Sequence, residues 1–162
     1  MENIFNISWS NTVKIISWAT GLLLIGIGYL IITKINELST WIISAFSIVL
    51  LLSVYFVLQA PMSLKLSDDK LTICKLAGIK EIPFSAIEKI EPYKDYHSDI
   101  RLMGNGGFLG YTGLFRNKEL GKYTAFVGNY SQAFYIRTKS GKIYVTSSEQ
   151  REEIIRQIQL KL

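Results

Sequence analysis

Few residues in this chain are of types that do chemistry, and their spacing decides against most of it. His97 is the only histidine, and Asp95 and Asp99 flank it. Such a trio could relay a proton or hold a metal, but a metal wants more imidazole or thiolate ligands than one histidine supplies. The three are also neighbours within Tyr93 to Ile100, a polar and aromatic segment that reads as a loop or an irregular edge strand, where they meet water. Cys74 is the single cysteine. An intrachain disulfide and a thiolate cluster are therefore excluded. As a nucleophile Cys74 needs a spatial base; in a strand it is a small apolar residue. Asp68–Asp69 reads as a turn and Glu152–Glu153 as the solvated side of a helix, so no carboxylate pair stands out for acid–base work. No catalytic residue, metal site or cofactor is expected, and the chain is not read as an enzyme.

Residues 101–130, RLMGNGGFLGYTGLFRNKELGKYTAFVGNY, hold seven glycines. The dinucleotide pattern G-x-G-x-x-G, begun at Gly104 and Gly106, fails because Leu109 stands where the third glycine belongs, and no G-x-x-x-x-G-K-[ST] loop exists. The next expected element is a strand, so no helix N-terminus waits for a phosphate. The glycines predict bends in a strongly curved sheet. Basic and aromatic residues interleave here: Arg101, Tyr111, Phe115, Arg116, Lys118, Lys122 and Tyr123. That mixture suits an anionic lipid surface, a peptide or partner domain held by aromatic anchors, or a nucleic acid. Nucleic acid is not expected, because acidic residues are dispersed throughout and no dedicated motif is present. The pattern equally fits a sheet with Tyr and Phe in its core and Lys and Arg outside. Arg101, Tyr111, Phe115, Arg116 and Tyr123 are the candidate contact residues for a ligand or partner.

The elements that must position these residues begin with two apolar runs. Residues 15–33 and 38–60 contain no Asp, Glu, Lys, Arg or His. Each has the roughly 20 apolar residues that cross a hydrocarbon core about 30 Å thick. They predict a transmembrane hairpin over residues 1–61, as an uncleaved anchor with only Lys34 and Glu37 charged in its turn. Trp18 and Trp41 each lie about one turn inside a span, the depth of an aromatic belt. Ser17, Gly21 and Gly28 offer a small-residue face to the second span or to another copy. No intramembrane ionisable group suggests an ion or proton relay. Residues 1–61 balance Lys14 and Lys34 against Glu2 and Glu37, so the net charge of +5 sits wholly in residues 62–162. Lys14 before the first span, and Lys65, Lys70, Lys75 and Lys80 after the second, place both termini and the domain in the cytoplasm by the positive-inside rule. The expected location is the cell membrane, as a multi-pass protein.

Behind Pro61 the apolar period changes to 2. Ser63–Ser67, Leu71–Cys74 and Ile79–Phe84 predict sequential hairpin strands, the third limited by Pro83. Ile87 and Ile90 lie in a stretch that fits a helical turn or a strand. Lys122–Val127, Gln132–Thr138 and Lys142–Thr146 read as further strands. Ser147 with Gln150 forms a capping-box pattern, and Ile154, Ile155, Ile158 and Leu162 make the apolar stripe of a closing helix. Before the hairpin, Phe5, Ile7 and Trp9 alternate with polar residues, as in an interfacial lead-in or a very short strand.

Residues 62–162 resemble the bacterial pleckstrin-homology-like (PH-like) domains, which often follow a transmembrane hairpin. The likeness is carried by Gly110, Tyr111, Gly113, Phe115, Gly121 and Tyr123, and by the later IRTKSGKIYVTSSEQREEIIRQI. The resemblance implies an α+β domain whose strongly bent antiparallel sheet, or split barrel, is capped by the C-terminal helix. It implies interaction or membrane-associated scaffolding rather than catalysis. The short acidic turn Ser67–Asp68–Asp69–Lys70 departs from the basic first hairpin of phosphoinositide-binding relatives. The expected function is a membrane-tethered module that binds a protein or peptide partner with anionic phospholipid contact; the alternative is a structural homo-oligomer.

Overall fold

The computed structural model describes residues 3–35 and 38–162. Glu37, and with it the middle of the turn between the two apolar runs, lies outside them. Helix α1 (Asn11–Thr33) starts where the Ser10 side chain accepts a hydrogen bond from Val13 N–H at 3.2 Å. Helix α2 (Thr40–Leu58) stops just before Pro61, and Gln59 caps it. Both are long and apolar enough to cross a membrane. Only Val13 of α1 is buried, and no residue of α2 is. A Cβ added at Gly28 would lie 3.7 Å from the Phe46 ring, whereas one at Gly21 would meet nothing within 4 Å. Ser17 serves a different contact: its hydroxyl accepts from Leu109 N–H at 2.8 Å.

The strands form two sheets. The first has the order β1 (Asn3–Asn6), β2 (Pro61–Leu66), β3 (Lys70–Lys75), β4 (Ile79–Pro83), antiparallel throughout. The lead-in is therefore the short strand of the two readings. Six further strands follow: β5 (Ile87–Pro92), β6 (Ile100–Gly107), β7 (Gly110–Asn117), β8 (Gly121–Val127), β9 (Ala133–Thr138) and β10 (Ile143–Ser147). They assemble in the order β5-β9-β10-β8-β7-β6, with β10 parallel to β8.

The expected strongly bent antiparallel sheet or split barrel is thus wrong. Two open sheets stand in its place, one of them mixed, and neither is closed or strongly curled. The break between them has a local cause. Pro83 has no N–H to continue a ladder, and Phe84–Ala86 coils into a 3-10 turn whose first N–H donates to Asp69 O at 2.8 Å. The chain leaves the first sheet there and enters the second at β5. The glycines build a hairpin rather than a curl: Gly104 pairs with Gly113, and Gly107 with Gly110 across the Phe108–Leu109 turn.

Helix α3 (Arg151–Gln159) buries Ile154, Ile155 and Ile158 against Phe5, Leu64, Leu71, Ile90, Phe134 and Ile136. Leu162, assigned to the same stripe, is exposed. The capping box does not form. Ser147 ends β10, where its buried hydroxyl accepts from Gly128 N–H at 3.0 Å, and the helix begins after Gln150. The alternate residues of β8, β9 and β10 bury a second apolar cluster with Tyr93, Phe115 and Leu120, so these three strands carry buried side chains on both faces.

Candidate functional site

The base of the helical hairpin is hydrogen-bonded to the sheets. Ser10 N–H donates to Gly128 O at 3.1 Å, Ile7 N–H to Met62 O at 3.0 Å, and Ala77 N–H to Leu58 O at 2.8 Å. Gly128 allows this approach: a Cβ there would lie 2.4 Å from Ser8 O. Where the first turn of α1 meets the six-stranded sheet, a cavity of about 330 Å³ opens. Its walls are Tyr96, Tyr111, Phe115 and Tyr130, with Asp99 among them and Ser10 and Thr12 at the helix end.

Each wall has a structural origin. Tyr111 and Phe115 are four residues apart on β7, hence on one face. Tyr130 stands in a 3-10 turn (Tyr130–Gln132) that Asn129 starts by accepting from Ser131 N–H at 3.1 Å. Its ring stacks on Tyr96 at 5.4 Å and 17° and meets Tyr111 at 4.8 Å. Asp99 follows a second 3-10 turn, Tyr96–Ser98. Its carboxylate accepts from Tyr93 OH, from Tyr123 OH at 2.5 Å and from Asn117 Nδ2 at 2.8 Å. Asn117 also donates to Asp95 O at 2.7 Å and to Ser98 Oγ at 2.8 Å, which fixes the loop that presents Asp99. Among the described residues no lysine, arginine or histidine forms an ion pair with Asp99. The arrangement is an anion held by three neutral donors beside aromatic rings, a combination that attracts a cation.

Burial pushes the phenols of Tyr93, Tyr123, Tyr130 and Tyr111 above their ordinary range, and for Tyr93 and Tyr123 the Asp99 carboxylate adds to it. They stay neutral donors at neutral pH. The stability they contribute is fully present below the unfolded-state value of about 10 and drains as pH rises beyond it, because only the unfolded chain then releases the protons. A phenolate absorbance titration is expected to show Tyr93, Tyr111, Tyr123 and Tyr130 ionising only together with loss of the circular dichroism of the sheets. Ionisation of these four phenols without unfolding would contradict this.

Of the candidate contact residues, Tyr111 and Phe115 line the cavity and Tyr123 holds its carboxylate. Phe115 and Tyr123 are otherwise buried. Arg101 is exposed and lies over Gly106, with Nη1 2.5 Å from where a Cβ would be. Arg116 is exposed, next to Phe115 and so on the opposite face of β7. Neither arginine is a wall of the cavity. Tyr96 and Tyr130 are wall residues that the sequence did not single out, and Asp99, expected with Asp95 and His97 to meet water, is instead held by Tyr93, Tyr123 and Asn117. His97 is exposed and rests on Tyr96, with ring centres 4.3 Å apart. Cys74 is a free, half-buried thiol on β3, and among the described residues no metal-binding group of His, Cys, Asp and Glu exists.

Comparison with curated proteins and with solved structures gave no match. Residues 62–162 match the family model described as a bacterial PH domain. PH-like domains are non-catalytic scaffolding modules, in keeping with a site built from rings and one fixed carboxylate. By that match, which covers more than half of its length, the chain belongs to the bacterial PH domain family.

Proposed function

We propose that this protein is a membrane-tethered interaction module in which residues 1–61 anchor a PH-like unit, residues 62–162, at the cytoplasmic surface. Its aromatic cavity takes a lysine or arginine side chain of a protein partner. The observation that carries this reading is Asp99: a carboxylate fixed by Tyr93, Tyr123 and Asn117, lacking an ion-pair partner among the described residues, and set among Tyr96, Tyr111 and Tyr130. Rings of this kind add about 0.5–2 kcal/mol to cation binding, the more so when water is excluded. The anchor is supported by two helices whose apolar side chains have no core to enter, Trp18 and Trp41 being 74% and 72% exposed. A soluble chain rarely leaves such a surface to water. Confinement to the bilayer raises the encounter rate with partners held there, and the basic excess of residues 62–162 favours contact with anionic headgroups.

The test is a photoreactive amino acid at Ser131, an exposed residue on the cavity rim, in full-length protein in its native membrane. The expected adduct is a defined partner segment containing Lys or Arg, and it disappears in Asp99→Asn. Adducts unchanged by Asp99→Asn would refute the reading.

A further inference from the structure

A second cavity, of about 490 Å³, lies where α2 leaves the apolar run and meets the six-stranded sheet. Leu52, Tyr55 and Phe56 of α2 form one wall; Met103, Leu114 and Phe126 form the other. It is separate from the Asp99 cavity and largely apolar. Two polar groups break that lining. At one, Lys75 Nζ donates to Gln59 Oε1 at 2.7 Å, a neutral partner, and among the described residues no carboxylate forms an ion pair with it. The other is Thr112, 4% exposed, whose Oγ1 is buried with no hydrogen-bond partner among the described residues. Buried hydroxyls are nearly always paired, so a lone one in the wall of an open cavity points to a missing acceptor.

We propose that this cavity holds a glycerophospholipid of the surrounding bilayer with an anionic headgroup. One acyl chain lies between Phe56 and Phe126, an ester carbonyl accepts from Thr112 Oγ1, and the phosphate faces Lys75. Three features select this occupant. Its apolar wall is the exposed end of α2, so a lipid reaches the cavity without crossing water. The volume fits the roughly 300–1,000 Å³ of small-molecule sites. The two polar groups match the acceptor and the charge that a phospholipid carries and a bare alkyl chain lacks. The proposal rests on the hairpin lying in a bilayer.

The experiment uses full-length protein in nanodiscs made with either phosphatidylglycerol or phosphatidylcholine, each carrying a photoreactive group in the acyl chain. Adducts are mapped by mass spectrometry. Labelling is expected at Met103, Leu114 or Phe126 as well as on α2, several-fold stronger for phosphatidylglycerol. Lys75→Gln should abolish that preference, and Thr112→Val should lower the labelling of the sheet residues while the fold persists. Adducts confined to α1 and α2, with none on the sheet, would overturn the site and leave the membrane anchor standing. Equal labelling of the sheet by both lipids in the unaltered protein would overturn the headgroup assignment. Absence of labelling on the helices as well would overturn the anchor itself.

Discussion

Asp99→Ala is expected to lower the stability of the folded module by about 3–5 kcal/mol, because hydrogen bonds to a charged group contribute about 1.5–3 kcal/mol each and the stranded donors keep their desolvation cost. The donors are Tyr93 OH, Tyr123 OH and Asn117 Nδ2. Two of these side chains are buried with the second apolar cluster, so water does not replace the lost acceptor easily. For a chain of this size the loss corresponds to a fall in melting temperature on the order of 10 °C. Asp99→Asn keeps one acceptor oxygen and the shape, and is expected to cost only about 1–2 kcal/mol. Thermal melts in detergent followed by near-ultraviolet circular dichroism separate the two variants. An Asp99→Ala melt within a degree or two of the parent would mean that the donors are satisfied otherwise.

A larger effect is expected from Gly104→Ala and Gly113→Ala. The two glycines face each other across the β6–β7 ladder, with φ of +122° and +120°, and each leaves no room for a Cβ. At Gly104 that atom would lie 2.2 Å from Thr112 O and 2.8 Å from Gly113 Cα. At Gly113 it would lie 2.4 Å from Met103 O. The obstacles are backbone atoms of the paired strand, so relief requires the strands to separate. The expected cost exceeds about 4 kcal/mol, the range reserved for gross steric conflict. Hydrogen exchange should show residues 100–117 unprotected, while the first sheet keeps its protection. Gly21→Ala, in a helix with nothing within 4 Å, is the control and should gain about 0.5–1 kcal/mol or change nothing. Normal protection of residues 100–117 in either hairpin variant would show that the pairing is looser than described.

The same glycines explain where the sequence was legible. Strand β2 announces itself by alternation, and β3, β8, β9 and β10 by short runs between turn residues, the last three with neighbouring side chains entering opposite apolar clusters. β6 and β7 do not: Gly104, Gly106, Gly107, Gly110 and Gly113 erase the period and carry poor strand propensity, so the segment reads as turns. The expectation of bends in a strongly curved sheet followed from that reading, whereas the split barrel was what the family resemblance implied. The actual order, with β10 inserted between β8 and β9, depends on pairings far apart in the chain that no local pattern encodes. Ser147 shows a different failure. Ser-x-x-Gln before an apolar stripe looks the same whether the serine caps a helix or, as here, accepts from Gly128 N–H inside the fold.

The cavity was half legible. Tyr111, Phe115 and Tyr123 stand close together with basic neighbours, which drew attention to them. Asp99 did not stand out, because in sequence it is one of two carboxylates beside an exposed histidine. Only the fold brings Tyr93, Asn117 and Tyr123 onto it, from three separate segments. Arg101 and Arg116 carry charge and interleave with the rings in sequence, but their side chains are not among the cavity walls.

The Asp99 cavity is expected to bind a cation. Isothermal titration of the full-length protein in nanodiscs with short peptides provides that measurement. A peptide presenting Lys or Arg is expected to bind saturably, one per chain, and Asp99→Asn should weaken it by about tenfold or more, while an acidic peptide of the same length gives no saturable heat. Equal binding by the parent and Asp99→Asn, or saturable binding of the acidic peptide at the same site, would contradict it.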